Sequence, residues 1–160
     1  MRRKDREITE IGEILDIVGT AKILHLGLFD GEFPYVVPLH YGFAYEDSAL
    51  VFFLHGAVEG HKLDLIRSDP RACVQLEMDA ELISGGENPC KYGAAYASVI
   101  GRGRAEIVGG EEAVRGLRLL MKHQTGRDFD IRPEMLAAVA VIKVVVPTFT
   151  AKARKKPGPG

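Results

Sequence analysis

Cysteine is scarce. Cys73 and Cys90 are the only two in 160 residues, too few for a disulfide framework and without the C-x-x-C spacing of a thiolate metal site. Reduced thiols and a cytoplasmic protein are the expectation. Neither sign of charge is in excess: 21 Lys plus Arg stand against 22 Asp plus Glu, a net charge of −1. A nucleic-acid-binding domain ordinarily carries a basic surplus, so no nucleic-acid partner is expected. No apolar run approaches the ~20 residues of a membrane helix. Met1-Arg2-Arg3-Lys4 leads into Asp5 and Glu7 and not into a signal-peptide core. The five histidines (His25, His40, His55, His61, His123) offer no i, i+4 pair, and no metal is expected. There is no G-x-S-x-G nucleophile elbow.

What is present is an ordinary globular composition, 46% hydrophobic and 27% charged, and a length that suits one domain. We assign residues 1–153 to that domain and 154–160 to a flexible basic tail. Ile8, Ile11, Ile14, Leu15 and Val18 recur at helical spacing, with Thr9 as a candidate N-cap and Gly19 as a C-terminal stop. The period then changes. Residues 21–29 and 33–43 read as strands joined at Asp30-Gly31, and 50–54 follows as a buried strand after the Glu46-Asp47-Ser48 turn. A short helix is expected over 60–67, a strand over 72–78 and a loop from Ser84 to Pro89. A long strand over 94–108 carries Gly101 and Gly103 as bulge or bend points. A helix over 111–123, with Val114, Leu117, Leu120 and Met121 inward, a short helix opening at Pro133 and a β-branched strand over 139–146 complete the chain. This order predicts a mainly β fold, an antiparallel barrel with peripheral helices.

Four segments carry possible chemistry. His55-Gly56-Ala57-Val58-Glu59-Gly60-His61-Lys62 lies between an apolar strand and a helix. Unpaired N–H groups at a helix start, two glycines and Lys62 together make an anion site; a capped helix with a solvated lysine is the other reading, and these residues alone leave both open. Leu63 after the lysine, and the spacing, exclude a P-loop. Pro34-Tyr35-Val36-Val37-Pro38-Leu39-His40-Tyr41 is a strand that cannot use every ladder position. It reads as an edge hardened by prolines, or as free backbone facing a flat heteroaromatic ring. Ser98 sits alone in a strand centre, where a serine ordinarily faces solvent or bonds locally. Lys152 reads as the start of the basic tail. Cys73 reads as an inert core thiol.

Taken together these segments resemble the FMN-binding split barrels of the pyridoxamine 5′-phosphate oxidase-like superfamily, and within it the 5-nitroimidazole resistance (Nim) group. The resemblance is carried by the opening Met1-Arg2-Arg3-Lys4-Asp5-Arg6-Glu7-Ile8, by Pro34 to Leu39, by His55-Gly56-Ala57 with Gly60-His61-Lys62, by Ser98-Val99 with Gly101, and by Ala151-Lys152-Ala153. It implies a six-stranded antiparallel split β-barrel with Greek-key connections and peripheral helices, forming a homodimer with FMN at its interface. Val37, Pro38, Leu39 and Tyr41 would line the isoalloxazine. His55, Gly60, His61 and Lys62 would hold the ribityl-phosphate end. Ser98 and Lys152 would approach from nearby strands or from the partner. True oxidases of pyridoxamine phosphate carry a C-terminal tryptophan motif, and this chain has no tryptophan, so that activity is not expected. The implied function is an FMN-dependent oxidoreductase acting on a small nitroaromatic or quinone-like acceptor, with His55 as the candidate catalytic donor. The alternative is a flavin or haem carrier or sensor without turnover.

Overall fold

Residues 3–78 and 80–156 are described by the computed structural model. The first two residues of the opening motif and residues 157–160 of the expected tail lie outside them. Strand alternation and the turn residues produce eight strands among the described residues: β1 (Glu7–Ile8), β2 (Ile23–Phe29), β3 (Pro34–Glu46), β4 (Ala49–Gly56), β5 (Arg71–Glu77), β6 (Glu81–Ile83), β7 (Gly93–Val108) and β8 (Ala140–Arg154). They pair antiparallel in the order β1-β8-β4-β3-β2-β5-β7-β6, and a further β8–β7 pairing closes six of them into a ring. The expected six-stranded barrel is the observed one.

Leu24, Leu26 and Leu28 of β2, Leu50, Phe52 and Leu54 of β4, Val74 and Leu76 of β5, Val99 of β7 and Ile142, Val144 and Val146 of β8 fill the barrel. The period of two sends these residues to one face and their neighbours to the other. Helix α1 (Ile11–Thr20) adds Ile14, Ile17 and Val18 to this core, and α2 (His61–Ser68) adds Leu63, Leu65 and Ile66. Helix α3 (Gly110–Thr125) packs outside, where Ala113 joins Val51, Phe53 and Val141 in a second, smaller core. Two glycines permit the approach. A Cβ on Gly42 would strike the α3 backbone at Leu119 and Leu120, and one on Gly116 would strike the Phe53 ring.

Several boundaries differ from the sequence reading. The N-cap of α1 is Glu10, with no side-chain cap, and the helix passes Gly19 to end at Thr20; packing of Ile17 and Val18 outweighs the local stop signal. Strand β8 continues through Pro147 to Arg154, because its second half finds a partner in residues 96–102 of β7. The register shift between β7 and β8 falls between Arg102 and Arg104, where Gly103 stands opposite both Val146 and Pro147, so the extra residue lies in β8; Gly101 stays in register opposite Phe149. Cys73 is exposed, not buried: alternation places it on the outer face of β5 between buried Ala72 and Val74. Among the described residues no helix is long and apolar enough to cross a membrane.

Candidate functional site

Strand β3 is a strand of two halves. Residues 34–40 pair with β2 only, and residues 41–46 pair with β4 only. Successive residues of an antiparallel strand point their N–H and C=O groups to opposite edges. Pro34, Val36, Pro38 and His40 therefore share one edge, the side on which β4 pairs further along. Over 34–40 that edge has no strand on it, because β4 ends at Gly56 and turns away into α2. The two prolines are tolerated here since no ladder donor is missed. What remains is a row of carbonyls, with the N–H groups of Val36 and His40 between them, facing the β4–α2 connection. Both sequence readings of the segment were partly right: it is an edge, and its backbone is free.

The opening of α2 closes the other side of this cleft. Gly60 is its N-cap, at φ 139°, and no side chain caps the helix. The amides of Leu63 and Asp64 reach the Gly60 carbonyl, leaving those of His61 and Lys62 without a partner among the described residues. The His61 ring lies edge-on to Tyr35, 5.2 Å between centroids, and its Nε2 is 3.1 Å from Asp30 Oδ2. These contacts tie the helix start to the β2–β3 turn. Of the carboxylates nearby, Asp30 is engaged with His61 and Asp64 with Arg67. The Lys62 side chain folds back so that Cε and Nζ lie 2.7 Å from where a Gly56 Cβ would stand.

His55 is exposed at the end of β4. Partial burial of its ring, followed by the charges of His40 and Lys62, lowers its pKa below the ordinary imidazole value. At neutral pH it is an uncharged ring, able to donate one N–H and accept one proton. The sequence reading missed His40, which follows His55 across the ladder one step beyond the Tyr41–Leu54 pair. It also missed Asp30, which was read only as a turn residue.

Tyr41 is placed elsewhere. Its ring is fully buried, and its hydroxyl lies 2.7 Å from the Val18 carbonyl and 2.8 Å from that of Ala21. Desolvation pushes the phenol pKa well up. The ring belongs to the core and anchors α1; it cannot contact a ligand at the surface. The strand segment that carries it reads as one motif, but alternation turns its odd residues inward.

Ser98 and Lys152 face each other across β7 and β8, on the outer surface of the sheet. Ser98 is buried at 7% exposure, which corrects the solvent-facing reading. Lys152 Nζ lies 5.4 Å from the centroid of Tyr96, whose hydroxyl is 3.4 Å from Arg6 Nη1. The Arg6 bond first, then the charge of Lys152, lowers the Tyr96 pKa. This group is not part of the cleft in its own chain. β7 lies three strands from β3 by either way round the ring, and Lys152, although on the strand next to β4, lies eleven residues along β8 from Val141, the partner of His55. The site residues expected from the sequence thus fall into two clusters, one around Pro38, His55, Gly60, His61 and Lys62, with Val37 and Leu39 on the inward side of the same strand, and one around Ser98 and Lys152.

A family model described as pyridoxamine 5′-phosphate oxidase matches residues 10–153. The chain belongs to this family. No curated protein matches the sequence. Among solved structures, a candidate 5-nitroimidazole antibiotic resistance protein from Bacteroides thetaiotaomicron is 29% identical with a TM-score of 0.74, covering 92% of this chain and 86% of that one. The flavocytochrome Anf3 from Azotobacter vinelandii (19% identity, TM-score 0.75, covering 100% and 74%) and an FAD and heme binding protein from Mycobacterium smegmatis (16%, 0.77, covering 97% and 77%) share the fold.

Proposed function

We propose that the protein binds FMN and is an oxidoreductase for a small acceptor, a nitroaromatic such as a 5-nitroimidazole or a quinone-like molecule. The observation that carries the reading is the uncapped start of α2, with the Lys62 ammonium laid against Gly56 and, among the described residues, in no ion pair, across from the unpaired edge of β3. A phosphate dianion fits the first feature, since the His61 and Lys62 amides, the helix dipole and a lysine converge on it. A flat ring with donors and acceptors along its rim fits the second. The resemblance to the Nim group and the 29% identity to the Bacteroides protein support the acceptor class.

In this reading Lys62 and His61 hold the phosphate, and Asp30 fixes the His61 ring through Nε2. The free backbone of Val36 and Pro38 reads one edge of the isoalloxazine. FMN, when bound, supplies the electron transfer between donor and acceptor. His55, neutral at physiological pH, is the candidate to donate a proton or a hydrogen bond on the acceptor side.

The second cluster belongs to the same site through a second copy of the chain. The outer face of β3, β2, β5 and β7 exposes Val36 (59%), Phe29 (56%), Ile100 (44%) and Ile23 (37%), apolar side chains that a second copy would cover. A two-fold dimer over this face would carry Ser98 and Lys152 of one copy toward the cleft of the other.

The absorbance spectrum of protein purified from its host tests the assignment. Flavin bands are expected, followed by release of FMN on heating. A Soret band instead favours a haem carrier, and a colourless protein that rejects added FMN refutes the site. Reduction of a nitroimidazole by the loaded protein with NADPH or dithionite, read as amine formation, tests turnover. Failure across several acceptors favours a carrier.

A further inference from the structure

We propose that Gly56 is a positioning residue, whose missing side chain holds the Lys62 ammonium in place for the cofactor phosphate; this rests on the proposed FMN site. The backbone does not call for glycine at this position. Gly56 closes a regular strand, opposite Ala140 of β8, and it is not among the residues with positive φ. The space does call for it. The atoms a Cβ would meet are the last two of the Lys62 side chain, each at 2.7 Å, closer than carbon and nitrogen approach without a bond. Among the described residues Gly93, against the Arg154 guanidinium, is the one other glycine whose Cβ would meet a flexible side-chain end; the remaining tightly packed ones meet backbone at Gly42, Gly85 and Gly103, an aromatic ring at Gly116 and a valine methyl at Gly101. There a methyl disturbs the fold. At Gly56 it displaces only the free end of a flexible side chain, so the fold survives and the lysine leaves its seat.

A lysine has four rotatable bonds and many solvated rotamers. Seated at the end of β4, beside the two open amides of α2, its charge is ordered before the ligand arrives, and binding does not have to order it. The charge is close enough to be felt by His55, whose pKa it helps to lower. Gly56 thus joins the β4 end to the helix start as one preformed anion seat.

The test is a double-mutant cycle on FMN affinity, read by flavin fluorescence quenching. Gly56→Ala is expected to weaken binding about tenfold, Lys62→Ala at least as much, and the double variant no more than Lys62→Ala alone. Lys62→Arg keeps the charge but has a head too wide for the seat, and it is expected to lose affinity as well. In the cofactor-free protein, brief acetylation followed by peptide mass spectrometry is expected to modify Lys62 several-fold faster in Gly56→Ala than in the wild type, with exposed Lys91 as internal reference. Circular dichroism and melting confirm that the variant is folded. Unchanged Lys62 reactivity, additive losses in the cycle, or full affinity in Gly56→Ala each overturn the positioning role while leaving the FMN site standing. Failure of the wild-type protein to bind FMN overturns both, and the acetylation rates then report only on where the lysine rests.

Discussion

Lys62, Tyr41 and His123 show how differently single side chains serve this molecule. Lys62→Ala removes a charge-assisted phosphate bond worth about 1.5–3 kcal/mol, so FMN affinity is expected to fall roughly 10- to 150-fold; unchanged affinity in a fluorescence titration counts against the phosphate assignment. Tyr41→Phe deletes the hydroxyl that reaches the Val18 and Ala21 carbonyls from inside the core, and a loss of about 1–3 kcal/mol is expected in urea unfolding, with FMN affinity per folded molecule unchanged. His123 is wedged between Tyr41 and Phe43 and donates from Nε2 to the Ala21 carbonyl at 2.8 Å. Burial, opposed by that bond, lowers its pKa below the ordinary value of 6.5, and His55 is shifted the same way. The unfolded chain then binds more protons near pH 6, so this stability is complete above about pH 6.5 and is lost as pH falls through the depressed folded values. A drop in melting temperature from about pH 7.5 to 5.5 is expected, shallower in His123→Gln, which retains an N–H donor for Ala21. The carboxylates with depressed pKa, Asp5 and Asp69 at about 2, titrate far below this window.

Among the elements, β3 and α3 decide where the site can be. Helix α3 covers the half of the barrel where β3 and β4 are paired, and it can do so only because Gly42 lets its backbone settle on the sheet. Gly42→Ala is expected to cost about 1–3 kcal/mol or more by forcing the helix off, measured by denaturant melting; a neutral effect would mean that α3 is not seated as described. The other half of β3 is left to face the cleft. The pattern of two prolines four apart in a β-branched run was legible as an unusual strand, and Gly60-His61-Lys62 as a helix start. That the two confront each other was not, since 20 residues and a whole strand separate them. Ser98 was misjudged for the same reason: its burial depends on what β8 places opposite it, and β8 was expected to end eight residues earlier.

At the scale of the whole molecule, the proposed dimer rests on the outer sheet face and on the division of the site residues into two clusters. Val36→Glu combined with Ile100→Glu should leave the barrel folded, convert a dimer into a monomer in sedimentation velocity, and abolish FMN binding with it. A wild-type protein that sediments as a monomer and still binds FMN overturns the shared site.

The sequence by itself determined the barrel: alternation selects the buried face of each strand, and Asp30-Gly31 and Glu46-Asp47-Ser48 set the hairpins. It also marked Gly60-His61-Lys62 as a helix start with an anion site as one of its two readings, because that pattern needs only neighbouring residues. The tertiary structure alone decided that Tyr41 is core and not ligand, that Cys73 lies outside, that Asp30 and His40 stand beside His61 and His55, and that Gly56 is matched to Lys62. Each of these depends on which distant strand or helix closes over a position, and local periodicity carries no record of that.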